Sequence, residues 1–312
     1  MAATPRTPGI PQERVLIYDR IASNKRRTWL LLLLFVLILG AFATVVALAL
    51  GLPWQFAPVV FAVIGAYALF SYYASARVAL AVSGAREVTS ADEPELYRIV
   101  ENLSIGSGLP MPKVYVIEDG SPNAFATGRD PKHAAVTVTR GLLNKLDKME
   151  LEGVIAHEMS HIGNYDIRVM TIVVVLVGLI ALLADLFLRW TWFGSGRRSS
   201  NRDKGGAAAI LIVVAVALAI LAPIAAQVIH FAISRQREYL ADASGALLTR
   251  NPEALASALE KISADPDPLE VANKATAHLY INNPLREHQS FLNNLFSTHP
   301  PIEERVRLLR AM

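Results

Sequence analysis

LEGVIAHEMSHIGNYD, residues 151–166, decides how the rest of the chain is read. Within it, His157, Glu158 and His161 form the pentapeptide HEMSH. On a helix, residues four apart share a face, so both imidazoles can address one ion while Glu158 stands beside them. Zinc suits the pattern. It lowers the pKa of a bound water toward neutrality, and a carboxylate that does not ligate it can take the proton as the water attacks a carbonyl. The helix is predicted by its own sequence: Asp147 is a capping residue with Glu150 at the third helical position, and Leu151, Val154 and Ile155 supply a buried side. Gly163 and Asn164 tolerate a left-handed turn, which predicts an end or bend there.

A histidine pair on a helix is also compatible with plain packing or solvation, so the reading needs a third ligand. A catalytic zinc usually takes three protein ligands and leaves the fourth position to water or substrate. With no cysteine in the chain, thiolates are excluded and the ligand must be oxygen or nitrogen. Glu238, in SRQREYLADASGALL, is the candidate, and Asp242 lies one helical turn further along the same face. The alternative places both on a charged juxtamembrane helix with Arg235 and Arg237.

The chain has 312 residues, 53% of them hydrophobic, which is unusual for a soluble protein of this size. Membrane spans explain the excess. Trp29 to Leu50 holds no charged residue and, at about 1.5 Å per residue, is long enough to cross the roughly 30 Å hydrocarbon layer. Trp54 to Ala76 is likewise uncharged and follows after Gly51, Leu52 and Pro53, so the two predict a tight hairpin. Val169 to Leu188 and Ala207 to Ser234 form a second apolar pair, giving four spans. The first stretch is too long for a signal-peptide core and is expected to be retained. Arg6, Arg14, Arg20, Lys25, Arg26 and Arg27 precede it, and the positive-inside rule places them in the cytoplasm.

The expected organisation is then a cytoplasmic segment 1–28, a transmembrane hairpin 29–76, the first catalytic part 77–168, a second hairpin 169–234 and the second catalytic part 235–312. An even number of crossings between His161 and Glu238 lets them share one side of the bilayer. The loop 189–204 conflicts with this: five Lys/Arg against one Asp would lie outside, unless the second hairpin is shallow or re-entrant. Asp185 and His230 fall near the ends of apolar stretches, where interfacial placement or a helix–helix hydrogen bond is as good a reading as a functional one.

The soluble parts read as one interrupted α+β domain. A helix is predicted over Glu93 to Leu103 with Ser90 as its cap, strands over Val114 to Glu118 and Ala134 to Thr139, and helices from Pro252 to about Ser263 and from Pro301 to Leu309. No internal repeat is present. The net charge of +3 is explained by membrane orientation and anionic headgroups, so no nucleic-acid partner is inferred.

HEMSHIGNYD, SRQREYLAD, SPNAFATG and STHPPIEERV stand in the order found in HtpX-type membrane metalloproteases, relatives of the CAAX prenyl-protein proteases, which this chain resembles over nearly its whole length. The resemblance implies a mainly α membrane protein with four transmembrane helices and a cytoplasmic zincin-like domain containing a small sheet. It implies one zinc ion per chain, polypeptide substrates that are damaged or misassembled membrane proteins, and a multi-pass location in the cytoplasmic membrane. His157, His161 and Glu238 correspond to the ligands and Glu158 to the base. Asp242 resembles a carboxylate behind a ligating histidine, a place Asp166 can also fill. Asn123, Ala124, Phe125 and Ala126 resemble an edge strand that adds main-chain hydrogen bonds to an extended substrate, although SPN also reads as an ordinary turn. His299 resembles a residue that approaches the cleft and could stabilise an oxyanion; it could equally cap the last helix. His133, His278 and His288 read as surface residues. Tyr165 departs from the pattern, standing where relatives often carry glycine.

Two rivals follow. A narrow-specificity processing protease of the CAAX type would cleave prenylated peptides. A non-catalytic scaffold tied by zinc would not need Glu158 and would tend to close the fourth position.

Overall fold

The computed structural model describes residues 17–49, 53–176, 235–266, 279–281 and 300–312. Two long helices come first, α1 (Ile17–Ala49) and α2 (Ala57–Val82). They pack through Leu32, Phe35 and Leu39 against Ala68 and Tyr72, with Ile172 and Leu176 of a later helix in the same cluster. The expected first hairpin is therefore a helix pair. Its first helix begins at Ile17 and not near Trp29, because the charged run up to Arg27 continues the helix instead of preceding it. Trp54–Val82 is the one helix among the described residues long and apolar enough to cross a membrane, and only 17% of its apolar window is buried in protein. Its large apolar side chains, such as Val63 and Phe70, face outward, the arrangement lipid accepts and water does not. Most of the second expected hairpin, including the basic loop 189–204, lies outside the described residues. Its first turns are described: residues 166–176 are helical (α6), and Val169, Ile172 and Val173 are buried within the protein.

After α2 comes a four-stranded mixed sheet of order β1–β2–β4–β3. β1 (Arg86–Glu87) runs antiparallel to β2 (Lys113–Ile117), β2 parallel to β4 (Ala134–Thr139), and β3 (Ala124–Gly128) antiparallel to β4. Helix α3 (Pro94–Ser107) connects β1 to β2. Strand alternation sorts the residues by face. Val114, Val116, Ala124, Ala126, Val136 and Val138 join one core with the helix that carries HEMSH, while Ile117, Phe125 and Ala135 pack on Ala79 and Leu80 of α2. The sheet is thus covered on both faces, between the end of α2 and the HEMSH helix.

Ser90 does not cap α3. Glu93 occupies the N-cap without a side-chain bond, and Pro94, whose missing N–H and fixed φ suit a first turn, sets the start. The carboxylate of Asp92 instead accepts from the backbone and hydroxyl of Thr89. Helix α4 (Arg140–Lys145) leads to α5 (Lys148–Gly163), which carries HEMSH. Its expected capping box is present: Asp147 accepts from the backbone of Met149 and Glu150, and Glu150 accepts from the backbone of Asp147. Glu150 also accepts from Ser257 and Lys261, each at 2.6 Å. That ties the start of α5 to α8 (Pro252–Ala264), which follows α7 (Arg235–Thr249). The bend after α5 falls on Tyr165, at φ 59°, while Asn164 keeps a right-handed conformation. A left-handed position is where glycine is cheapest, so Tyr165 holds a backbone conformation that a side chain disfavours.

Candidate metal centre

α5 and α7 approach so closely that a Cβ added at Gly245 would lie 3.0 Å from the backbone nitrogen of His157. A side chain there would require the α5 backbone to give by a few tenths of an ångström. This approach brings Glu238, two turns before Gly245 on the same helical face, to the two histidines. His157 Nε2 and His161 Nε2 are 3.2 Å apart, Glu238 Oε2 is 3.7 Å from the first and Glu238 Oε1 is 3.5 Å from the second. Ligands about 2.1 Å from a tetrahedral ion stand roughly 3.4 Å from one another, so the two imidazole nitrogens stand at ligand spacing, each with a different oxygen of Glu238 close to that distance. Among the described residues, His157, His161 and Glu238 form the one group of three that could hold a metal.

The outer side of the site supplies an independent test of fit. His157 Nδ1 lies 2.9 Å from Asp242 Oδ1, and His161 Nδ1 lies 3.1 Å from Asp166 Oδ2. A carboxylate accepts from Nδ1–H, which leaves both Nε2 atoms as lone pairs aimed at each other. Two buried lone pairs 3.2 Å apart require a cation between them. Burial disfavours charge on His161, but Asp166 and Glu238 outweigh it and raise its pKa to about 9.

Glu158 is fully buried beside this group. Burial pushes its carboxyl up from the ordinary carboxylate range, His157 and His161 oppose that, and the backbone of Ala126 adds a hydrogen bond favouring the charged form. Glu158 is thus held next to the metal group by β3 without being one of its three members.

The residue that sequence reasoning missed is Arg305, on the last helix, α9 (Ile302–Leu309). It is wholly buried and grips Asp242 with two bonds, Nε–Oδ2 at 2.8 Å and Nη2–Oδ1 at 2.6 Å. Its Nη1 is 3.8 Å from Glu238. Burial raises the Asp242 carboxyl, but Arg305 and His157 more than reverse this and hold it at about 2. A signal was available: Ile302, Arg305, Val306 and Leu309 form an inward-facing stripe, and an arginine in such a stripe needs a buried anion.

Asn24 was missed as well. It is buried in α1 and donates from Nδ2 to Asn164 O and to Asp166 Oδ1, both at 2.8 Å. Arg237 Nη1 stands 3.6 Å from the same Asp166 oxygen. Each histidine therefore backs onto a carboxylate that is itself anchored. Asp242 is anchored by Arg305, and Asp166 by the first long helix.

The remaining expected residues divide. Asn123, Ala124, Phe125 and Ala126 lie in or beside β3, an edge of the sheet, next to α5. There the Ala124 carbonyl accepts from Ile281 N at 3.0 Å. His299, His278 and His288 fall outside the described residues, as do Asp185 and His230. His133 is exposed and bonded to Asp130.

An HEMSH helix over a small mixed sheet, completed by a glutamate from a helix far along the chain, defines a metallohydrolase. Residues 90–312 match the model of Peptidase family M48, and the chain belongs to that family. It is 48% identical over 297 residues to a "Protease HtpX homolog" of Tropheryma whipplei, spanning 95% of this chain and 99% of that one. A protein of the same description from Dictyoglomus thermophilum is 49% identical over 298 residues, covering 95% and 94%. A third, from Lactobacillus helveticus, is 45% identical over 307 residues, covering 95% and 100%. The crystal structure of S. mikatae Ste24p aligns with 87% of this chain and 61% of its own at a TM-score of 0.47 and 20% identity. The molecule is a membrane metalloendopeptidase whose metal is zinc, a fit that the His157, His161 and Glu238 group meets.

Proposed function

We propose that the chain cleaves membrane-protein polypeptides at the cytoplasmic face of the bilayer, in the removal of damaged or misassembled proteins. The observation that carries the proteolytic part is Glu158, buried beside the His157–His161–Glu238 group and bonded to the backbone of Ala126. His157, His161 and Glu238 would hold the ion. When bound, zinc supplies a water acidified toward neutral pH and polarises the scissile carbonyl. Glu158 would take a proton from the attacking water and pass it to the leaving amine, the work of a general base and then acid. Asp242 and Asp166 fix the imidazole tautomers, and Arg305 fixes Asp242. β3, from Asn123 to Ala126, is the edge along which an extended substrate lies, and His299 is its oxyanion donor.

The organisation that supports this reading has catalytic parts 77–168 and 235–312 facing the cytoplasm, with 1–28 on the same side and hairpins 29–76 and 169–234 in the membrane. The apolar outward face of α2 and the basic run before Trp29 support it.

Two experiments test the proposal. With purified full-length protein, hydrolysis of casein should depend on zinc and stop with chelator. Glu158→Gln should keep its zinc while turnover falls roughly 100-fold to 10,000-fold; full activity would refute the base. For the topology, the absence of native cysteine makes Ile105→Cys, at an exposed helix position, a clean reporter. A membrane-impermeant maleimide should leave it unlabelled in intact cells and label it after lysis.

A further inference from the structure

We propose that a cavity of about 450 Å³ between the end of α2 and the β1–β2 side of the sheet binds the phosphate group of one anionic phospholipid. The inference rests on the reading of α2 as a membrane span and is independent of the peptidase chemistry. Tyr72, Tyr73, Arg77, Lys113, Arg129 and Lys132 line the cavity, with Glu87 as the carboxylate in its wall.

Position is the first argument. Trp29 stacks on Tyr72 with centroids 5.7 Å apart, Tyr73 meets Tyr72 edge-on at 5.0 Å, and the Arg168 guanidinium lies 5.0 Å over the Tyr72 ring. Aromatic rings and arginines grouped at the end of an apolar span mark a membrane–water interface. Val63, Phe70, Tyr73 and Arg77 are exposed and their spacing of seven, three and four residues puts them on one face of α2. An acyl chain can follow Val63 and Phe70, with tyrosine at the glycerol level and Arg77 at the phosphate.

Charge is the second. Lys113 is committed to Glu87 at 2.8 and 3.0 Å, and Glu87 also accepts from the Tyr115 hydroxyl at 3.0 Å. Arg129 is 3.6 Å from Asp130 and 5.4 Å over the Tyr73 ring, while His133 takes the other oxygen of Asp130. Arg77 and Lys132 have no carboxylate partner among the described residues, so two exposed cations remain uncompensated at headgroup height. A phosphate anchored by acyl chains satisfies both, and a zwitterionic headgroup brings its own ammonium into competition.

The full-length protein, purified in mild detergent and exposed to mixed phosphatidylcholine–phosphatidylglycerol micelles, can be examined by native mass spectrometry. Phosphatidylglycerol should be retained in preference to phosphatidylcholine. Arg77→Gln and Lys132→Gln should each weaken retention roughly five-fold, the contribution of one basic side chain near an anionic surface, and Arg77→Lys with Lys132→Arg should restore it. Equal retention by parent and glutamine variants, or no preference between the two lipids, overturns the proposal. Displacement by inorganic phosphate alone assigns the cavity to a soluble anion and overturns it too. Zinc content and casein hydrolysis, measured on the same preparations, separate a failure here from a failure of the proteolytic reading.

Discussion

α2 and the α5–α7 pair treat polarity in opposite ways. In α2 the apolar side chains are outside, with Val63 63% and Phe70 66% exposed. Around α5 and α7 the charged ones are inside, with His157, Glu158, Glu238, Asp242 and Arg305 all 2% exposed or less. Neither pattern suits a water-soluble core. The first is stable because lipid replaces water around the helix. The second is stable because each buried charge has a partner or a metal to meet, since an isolated ion in the interior is far too expensive to keep. Hydropathy therefore says which solvent surrounds a segment, and pairing says whether a charge can be enclosed.

The sharpest way to break this contrast is at Arg305. Arg305→Met strips Asp242 of its cation and should destabilise the protein by about 3–5 kcal/mol, seen as a fall in melting temperature in detergent. Asp242→Leu added to it should recover much of the loss, because a buried pair replaced by apolar groups is often neutral. The parent pair also fixes an acid response in metal-free protein. The Asp242 carboxyl is held at about 2, below the roughly 3.9 of an unfolded aspartate. Its contribution is therefore present above about pH 4 and is lost as pH falls toward 2.

On the lipid side, Val63→Asp should hinder insertion by about 2.5–3.5 kcal/mol for a charge deep in the bilayer, read as the fraction of protein recovered in the membrane. An exposed substitution on a soluble helix usually changes stability by less than about 0.5 kcal/mol, so an unaffected variant would remove α2 from the membrane. The smallest effect is expected where the two regions touch. Asn24→Leu deprives Asp166 of a hydrogen bond and should weaken zinc binding roughly ten-fold, the lower range for loss of a residue supporting a ligand, in a chelator competition. If zinc affinity stays unchanged, the link from α1 to the metal site is only structural.

Much of the site was legible before any coordinates. HEMSH fixed three residues because helical periodicity puts positions four apart on one side, and the Asp147–Glu150 box fixed where that helix begins. Glu238 was a candidate once a third ligand was required, with Asp242 one turn along its face, and the place of Asp242 behind a histidine came only by resemblance to a family. Asn24 and Arg305 were not found. Asn24 meets Asp166 across 142 residues and Arg305 meets Asp242 across 63, and no local period encodes such pairs. The strand Ala124–Gly128 stood out by resemblance to a family more than by pattern, since AFATG lacks a clear polar–apolar alternation. Every residue of it is buried, which removes the contrast that reveals an edge strand.

By itself the sequence determined the α5 helix, its cap, the apolar lengths and the chemistry of the residues HEMSH presents, all of which depend on neighbours within a turn or two. Tertiary structure alone decided that Gly245 lets α7 close on α5, that Glu238 reaches both histidines, and that Asp242 and Asp166 each find a distant anchor. The reason is physical: local periodicity selects which face a side chain occupies, while close packing between elements selects what that face meets.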